Sequence, residues 1–311
     1  MIENAIYIFT CNRPIQLERL LKEVCYIQRK YNIYIIDDTS KRETIEENRR
    51  ITNKYANTTY LGSTEYKVFY NMKGLFHDGQ SLGDKTWNLG IARNFALDHS
   101  TFWKYEKVLF IDDDITGVNE RILDDGFSTL TKNCFGSCTL KGLADSSIIG
   151  HIAKEIGVIE DEPKMLSGGF LFLTPASISH RFYNIYNEDW IMQLLEKEKE
   201  RFILPYIVWH HVDMEVKWTL EQVIFQEPGE LVVDGLLENV KAFTLDNAFW
   251  DNILEKRIKF IEKIKAGSLK EEKLYNHDIC DGLLKWLRQF DGQSLQNFIE
   301  QIKNKYYGHK I

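Results

Sequence analysis

The sequence predicts an α/β fold with a mostly parallel sheet, followed by a helical C-terminal region. Two β-rich runs near the N-terminus are each followed by a stretch with helical spacing of its apolar residues. Such alternation is typical of parallel strands joined by right-handed crossovers. A third apolar run, Val108 to Ile111, ends in the aspartates Asp112 to Asp114. After residue 240 the apolar residues follow helical spacing alone.

The first two units have the same order of elements. The first begins with the strand Ala5 to Phe9, after which Asn12 is a favourable cap and Pro14 is tolerated in a first helical turn. The apolar residues of the helix that follows are Leu17, Leu20, Leu21, Val24 and Ile27. The second unit has a strand from Ile33 to Ile36 and a charged helix from Glu43 to Ala56.

The middle of the chain is less regular. Residues 57–83 show no periodic pattern and are expected to form a long loop, a kind of segment that is usually functional. A helix from Asp84 to His99 precedes the strand that ends at Ile111. Another strand is predicted from Gly169 to Leu173 and another helix from Trp190 to Arg201. Residues 203–237 are apolar with interruptions and are expected to hold strands and loops.

The C-terminal region contains a clear signal for a helix boundary. Gly267 can end one helix, and Ser268 with Glu271 has the spacing of a capping box for the next. We therefore predict an α/β domain over residues 1–240 and a helical extension over 241–311. The helices predicted in this extension are Phe249 to Lys265, Leu269 to Phe290 and Leu295 to Lys305.

Composition excludes some classes of function. The 311 residues carry a formal net charge of −7, so there is no positive field for nucleic acid, and we expect no nucleic-acid partner. No apolar run is long enough for a transmembrane segment and no signal-peptide layout is present, so we expect a cytoplasmic protein. Five thinly spread cysteines favour reduced thiols. The basic stretch 252–311 fits solvated helix faces, with peripheral membrane contact as an alternative.

The consecutive aspartates are the main candidate site. Open α/β sheets bind ligands at the carboxyl ends of their strands, and packed carboxylates there repel one another unless a cation neutralises them. Asp112 and Asp114 are separated by one residue and can approach one hard cation, such as Mg²⁺ or Mn²⁺. We therefore predict a metal and phosphate site here, although a surface acidic turn or a helix cap would contain the same residues.

Six motifs occur in one order along residues 1–195, and together they resemble family-two-like glycosyltransferases of the GT-A fold. The resemblance implies a Rossmann-like sheet flanked by helices, with a nucleotide-sugar half over about 1–115 and an acceptor half over about 116–240. The motifs are Phe9-Thr10-Cys11-Asn12-Arg13-Pro14, Ile36-Asp37-Asp38-Thr39-Ser40, Gly90-Ile91-Ala92-Arg93-Asn94, Phe110-Ile111-Asp112-Asp113-Asp114, Ser167-Gly168-Gly169 and Asn187-Glu188-Asp189-Trp190.

On the donor side the resemblance implies a nucleotide sugar, by default a UDP-sugar, bound with Mn²⁺ or Mg²⁺. Asp114 would hold the metal, and Asp112 would face the ribose or reach the metal through water. A bound cation stabilises a departing diphosphate as a Lewis acid. Asp38 resembles the acid that accepts hydrogen bonds from the base edge. The other implied donor-site residues are Thr10, Arg13, Asp37, Arg93 and Asp113.

On the acceptor side Asp189 resembles the catalytic base of inverting members, and Glu188 would orient the acceptor or act in its place. His211 is a candidate third metal ligand. The implied reaction is hexosyl or N-acetylhexosaminyl transfer to a hydroxyl of a glycan, lipid-linked or polypeptide acceptor. The residues implied at the border of donor sugar and acceptor are Ser167, Gly168, Gly169 and Trp190.

Two alternatives remain at the level of sequence. Asp112 to Thr116 also match the Asp-x-Asp-x-Thr motif of haloacid-dehalogenase phosphatases, in which the first aspartate attacks phosphorus with the help of Mg²⁺. Two strand-helix units precede the motif here, whereas it normally opens such a domain. The other alternative is a noncatalytic module that binds a nucleotide sugar without turnover.

Overall fold

The computed structural model describes residues 3–25, 31–62, 89–142, 146–158, 165–211 and 218–307. The strands in these ranges are β1 (Asn4–Thr10), β2 (Asn32–Asp37), β3 (Thr58–Gly62), β4 (Lys107–Asp112), β5 (Ile115–Thr116), β6 (Cys134–Gly142), β7 (Phe170–Leu173) and β8 (Glu200–His210). The helices are α1 (Pro14–Val24), α2 (Arg42–Thr52), α3 (Leu89–Phe102), α4 (Glu120–Thr129), α5 (Ile148–Glu155), α6 (Glu188–Leu195), α7 (Leu220–Glu238), α8 (Asn247–Lys270), α9 (Leu274–Leu287) and α10 (Gly292–Tyr307).

These strands form one sheet in the order β3-β2-β1-β4-β7-β6-β8-β5. The strands β3, β2, β1 and β4 are parallel to one another, whereas β7 runs antiparallel to β4. In the register of the sheet Thr10 lies opposite Asp37, and Phe9 lies opposite Asp112. The carboxyl ends of β1, β2 and β4 therefore meet at one edge, as the sequence predicted.

Side chains of the central strand alternate between two cores, as expected for a sheet covered on both faces. Ile6 and Ile8 pack in one cluster with the apolar sides of α1 and α4. Ala5, Tyr7 and Phe9 pack in another cluster with α3. Residues Ala5 to Phe9 of β1 are therefore buried on both faces, which explains why this part of the strand reads as a continuous hydrophobic run.

A third core joins the two regions that the sequence analysis separated at residue 240. It combines apolar residues of α5, α6 and α7 with those of the three C-terminal helices. Trp250 of α8 is 1% exposed in this core, and Ile261 is fully buried. Among the described helices, none has both the length and the apolarity to cross a bilayer.

Several boundaries predicted from the sequence were wrong. The helix predicted from Trp190 to Arg201 ends at Leu195, and Glu200 and Arg201 belong to β8. In the stretch 203–237, expected to hold strands and loops, residues up to 210 are strand, but residues from 220 onward are helical even though Pro228 lies among them. The sequence patterns predicted none of the elements α4, β6 and α5. Part of the expected loop 57–83 is β3, and its remainder lies outside the described residues, as do residues 84–88 of the predicted helix.

The predicted helix break at residues 266–268 was also wrong, because α8 continues to Lys270. The reason is tertiary packing. Ser268 is fully buried, and a Cβ on Gly267 would lie 2.8 Å from Cδ1 of Ile156. A glycine that permits close packing therefore looks in the sequence like one that ends a helix.

Candidate functional site

A cleft of about 430 Å³ lies where β1, β2 and β4 end. It gathers most of the polar residues that the sequence assigned to the donor site, together with a few apolar neighbours. The lining residues are Phe9, Thr10, Cys11, Arg13, Ile36, Asp38, Leu89, Ala92, Asp112, Asp113 and Asp114.

Asp113 lines this cleft and is 2% exposed. The hydroxyl of Thr10 donates to its Oδ2 at 2.5 Å, and Nη1 of Arg13 lies 3.3 Å from its Oδ1. Burial raises the pKa of Asp113 to about 7, against the opposing charge of Arg13. Because its two oxygens already have donors, Asp113 positions its neighbours rather than offering a vacant ligand.

Asp114 has one satisfied and one unsatisfied oxygen. Its Oδ2 lies 2.6 Å from Nη1 of Arg13 and 3.4 Å from Nε2 of His210. Its Oδ1 is buried and accepts no hydrogen bond from the described residues. Burial acts to raise the pKa of Asp114, but His210 and Arg13 outweigh it and lower the pKa. The carboxylate is therefore ionised, with an oxygen available for a cation.

The structure places His210, and not the predicted His211, beside Asp114. The backbone N–H of His211 donates to the Asp114 carbonyl at 2.9 Å, and its side chain is exposed. Successive side chains of a strand point to opposite faces, so only one of two adjacent histidines can face the acidic group. His210 is the last residue of β8, and it lies opposite Ile115 of β5.

The donor set fits a cation that is shared with a ligand. Among the described residues, no three His, Cys, Asp or Glu side chains converge on one point that could hold a metal. Mg²⁺ and similar ions are commonly bound by one or two carboxylates, with substrate phosphates and water completing the shell. Asp114, with its unsatisfied Oδ1, and Asp112 fit this arrangement.

Arg93 joins the acidic group to the predicted catalytic carboxylates. It is 2% exposed, and its Nη1 donates to Oε1 of Glu188 at 2.7 Å. Its Nη2 lies 3.4 Å from Oδ1 of Asp112. The guanidinium Cζ lies 5.7 Å and 5.8 Å from the ring centroids of Phe9 and Phe182, within cation–π range. Arg93 is therefore a buried bridge and not a surface ion pair.

The two acids at the start of α6 have different surroundings. Burial raises the pKa of Glu188 to about 8, although the charge of Arg93 opposes the shift. Oδ2 of Asp189 accepts the backbone N–H of Gly168 at 2.6 Å. A Cβ on Gly168 would lie 2.2 Å from Nη1 of Arg93, so this close approach requires glycine. Asp189 is thus fixed against the Ser167–Gly169 segment.

Asp37 and Asp38, which the sequence treated together, have separate positions. Asp37 is fully buried and accepts hydrogen bonds from Thr39 N–H at 2.8 Å, Asn48 Nδ2 at 2.8 Å and the Tyr60 hydroxyl at 2.6 Å. It organises the end of β2 and does not line the cleft. Asp38 does line the cleft, and its backbone N–H donates to the Thr10 carbonyl at 3.0 Å.

The residues predicted at the acceptor side divide between two places. Gly169 lies against Asp112, since a Cβ there would be 3.3 Å from Asp112 Oδ2, and its N–H donates to Ser167 Oγ at 3.1 Å. Trp190, in contrast, lines a second cavity of about 350 Å³ beside α7 and α8. Trp190 therefore faces the helical region.

Several residues of this site have roles that no sequence pattern predicts. The pair Phe9 and Phe182 around Arg93 comes from distant positions, and no local pattern links them. Tyr60 lies in a stretch expected to be a loop. His210 was visible beside His211, but choosing between the two required the register of β8.

Comparisons with known proteins agree with this geometry at the level of fold. The sequence matches no protein-family model and no curated protein. Among solved structures, the chain is similar to the mannosyltransferase PcManGT from Pyrobaculum calidifontis, in complex with GDP-Man and Mn²⁺. The identity is 15% and the TM-score 0.50, over 99% of this chain and 88% of that one.

It is also similar to glucosyl-3-phosphoglycerate synthase from Mycobacterium tuberculosis. The complex with Mn²⁺, UDP-Glc and phosphoglyceric acid has 10% identity and a TM-score of 0.51, over 76% of this chain and 79% of that one. The UDP complex has 11% identity and a TM-score of 0.50, over 76% and 80%. The chain therefore has the GT-A fold that the sequence predicted.

Proposed function

We propose that this protein is a metal-dependent glycosyltransferase that moves a sugar from a nucleotide-sugar donor to an acceptor hydroxyl. The observation that carries the proposal is the group Asp112 to Asp114 at the end of β4. This group includes a buried carboxylate oxygen that accepts no hydrogen bond from the described residues, and it opens into a cleft of about 430 Å³. The solved proteins with this fold that were bound to GDP-Man or UDP-Glc with Mn²⁺ support the same class of donor.

Asp114 and Asp112 would hold Mn²⁺ or Mg²⁺ together with the diphosphate. When bound, such an ion neutralises the negative charge that grows on the leaving diphosphate. Asp38 and Thr10 lie at the carboxyl ends of β2 and β1, where they can receive the nucleoside. Arg13 adds a positive charge at the mouth of the cleft. A UDP-sugar is the default donor.

Asp189 is the proposed base that accepts a proton from the acceptor hydroxyl, so the expected stereochemical outcome is inversion. Its position is set by the Gly168 N–H, while the Glu188 carboxyl is occupied by Arg93. We therefore assign Glu188 to holding Arg93 and give the base role to Asp189 alone. The acceptor can be a glycan, a lipid-linked molecule or a polypeptide.

The test is calorimetry with UDP and GDP, each with and without Mn²⁺, followed by an assay for nucleoside diphosphate release from UDP- and GDP-sugars. We expect metal-dependent binding and metal-dependent release. Binding without release would favour the noncatalytic module. Phosphate release from small phosphomonoesters would favour the phosphatase, and indifference to every metal–nucleotide pair would refute the proposal.

A further inference from the structure

Helices α7 and α8 share a buried ionic network around Arg257, which is 5% exposed. Its Nε lies 2.6 Å from Oε1 of Glu227, and its Nη2 lies 3.0 Å from Oε2 of the same residue. The same Nη2 lies 3.1 Å from Oε2 of Glu230, and Nη1 lies 3.5 Å from Oδ2 of Asp234. A single guanidinium thus gathers three carboxylates from α7.

One of these carboxylates, Glu230, also contacts the residue that precedes α6, the helix that begins with Glu188 and Asp189. Nδ2 of Asn187 donates to Oε1 of Glu230 at 2.8 Å. Asn187 immediately precedes α6, has a left-handed backbone with φ 62°, and makes no capping hydrogen bond with its side chain. An asparagine at this position ordinarily caps its own helix. Here its amide is used instead to attach the start of α6 to α7.

The backbone before α6 is clamped from two sides. A Cβ on Gly229 of α7 would lie 2.1 Å from the carbonyl oxygen of Tyr186. A Cβ on Gly90 of α3 would lie 2.2 Å from the carbonyl oxygen of Tyr183. Because both helices approach this segment closely through glycine, a displacement of α7 would meet the backbone of residues 183–187 and the first turn of α6.

We propose that Arg257 is a positioning residue for Asp189, acting through Glu230 and Asn187. The Arg257 guanidinium binds the carboxylate of Glu230, which accepts a hydrogen bond from Asn187. Asn187 fixes the turn from which the Asp189 carboxylate accepts the Gly168 N–H. The C-terminal helices thereby set the place of the base. The catalytic consequence of this inference rests on the proposed function. The structural link from Arg257 through Glu230 and Asn187 to Asp189, which we call the mechanical link, does not depend on it.

The experiment uses the variants Asn187→Gly and Glu230→Gln in the full-length protein. Glycine keeps the left-handed backbone of residue 187 and removes only the amide. Glutamine keeps the shape of residue 230 but cannot accept from both Asn187 and Arg257 as a carboxylate does. Arg257→Ala is a poorer test, since it leaves three carboxylates without their common partner and is expected to unfold the protein.

The matched control is Lys256→Gln. Lys256 neighbours Arg257 on α8 and pairs with Glu238 of α7 at 2.8 Å, but both side chains are about half exposed, at 52% and 47%. This change removes a charge from the same helix pair without touching the buried network. Thermal unfolding of all variants confirms that each remains folded at the assay temperature.

Hydrogen–deuterium exchange at Gly168 is the first readout, because this amide donates to Asp189. We expect exchange at least about tenfold faster in both network variants and unchanged in the control. The second readout is UDP release from a UDP-sugar with Mn²⁺. We expect kcat to fall by about ten- to a hundredfold, with the KM for the donor and the affinity for Mn²⁺–UDP kept within about twofold.

Folded network variants that keep wild-type exchange at Gly168 would overturn the inference, and so would an equal loss of donor affinity and kcat. If wild-type protein releases no nucleoside diphosphate, the proposed function fails. In that case the exchange measurement alone decides the mechanical link, with faster exchange at Gly168 supporting it and unchanged exchange refuting it.

Discussion

The unsatisfied Oδ1 of Asp114 is the most specific chemical feature at the scale of single residues. Buried polar atoms in folded proteins nearly always have partners, and an ionised oxygen without one costs free energy. Arg13 neutralises only the other oxygen of Asp114. A cation bound beside Asp114 would remove this cost, which is why we assign the metal to this carboxylate.

Replacing Asp114 with asparagine should remove metal-dependent donor binding, because the amide carries no charge to attract the ion. We expect affinity for Mn²⁺–UDP to fall by more than about a hundredfold. In Asp189→Asn, by comparison, donor affinity should stay near the wild-type value while transfer is lost. Calorimetry and the release assay separate the two effects. Wild-type turnover in Asp189→Asn would show that the assignment of the base is wrong.

Arg13 should oppose the binding of free metal, since its guanidinium lies within 2.6 Å of Asp114 and 3.3 Å of Asp113. Its side chain is 48% exposed and can turn toward a diphosphate in the cleft. We expect Arg13→Gln to bind free Mn²⁺ more tightly and Mn²⁺–UDP less tightly than wild type. Titration calorimetry with each ligand tests this reversal, and weaker binding of both would contradict it.

At the scale of elements, α3 packs on the sheet through a neutral histidine. Burial lowers the pKa of His99 to about 4. The Tyr7 hydroxyl lies 2.9 Å from its Nδ1, and the Trp103 ring N–H donates to its Nε2 at 3.1 Å. Protonation would take away the acceptor that Trp103 uses. The contact between α3 and β1 is therefore expected to weaken in acid.

The direction of this pH effect follows from proton linkage. Between about pH 6.5 and 4 the unfolded chain binds a proton at His99 that the folded protein does not, so acid lowers the free energy of unfolding. His99→Gln should reduce the slope of the free energy of unfolding against pH by an amount that corresponds to up to about one bound proton. Urea unfolding at several pH values in this window compares the two proteins. Equal slopes would show that folding does not lower the pKa of His99.

Element boundaries show why local patterns mislead where packing is close. The helix α7 contains Pro228, which argues against a helix, and Gly229, which weakens one. Burial of Leu231, Val232 and Leu236 at the third core outweighs these local preferences. The same competition explains why Gly267 did not end α8.

At the scale of the whole molecule, the third core spans the boundary predicted at residue 240. Ile149 and Ile152 of α5 and Leu236 of α7 belong to the same buried cluster as Trp250 and Ile261 of α8. The division into an α/β domain over residues 1–240 and a helical extension over 241–311 remains a prediction. The shared core argues that the C-terminal helices directly support α5, α6 and α7.

A chain ending at residue 240 should therefore be much less stable than the full-length protein. Removal of a separately folded extension would leave the stability of residues 1–240 almost unchanged. Removing Trp250, Ile261 and their neighbours exposes the apolar sides of α5 and α7, and each buried side chain of this size contributes about 1.5–3 kcal/mol. We expect no cooperative thermal transition by circular dichroism. A fragment that unfolds near the transition of the full chain and binds Mn²⁺–UDP would establish 1–240 as an independent domain.

The sequence by itself determined the class of fold and the place of the acidic group. Strand-helix alternation and the run that ends at Asp112 are local patterns, and parallel strands bring their carboxyl ends together without further information. The motif order also placed Arg93 and Asp189 near this edge, in agreement with the chain of contacts from Asp112 through Arg93 to Glu188.

Only the tertiary structure decided which neighbouring side chains face the cleft. The sequence predicted His211 as a ligand, whereas His210 lies beside Asp114, and it predicted both Asp37 and Asp38 at the donor site, whereas only Asp38 lines the cleft. The pairing of β8 with β5 sets His210 opposite Ile115, one residue from Asp114. A shift of one residue turns every side chain of a strand to the opposite face. Long-range pairing sets that register, so the spacing of residues along the chain cannot.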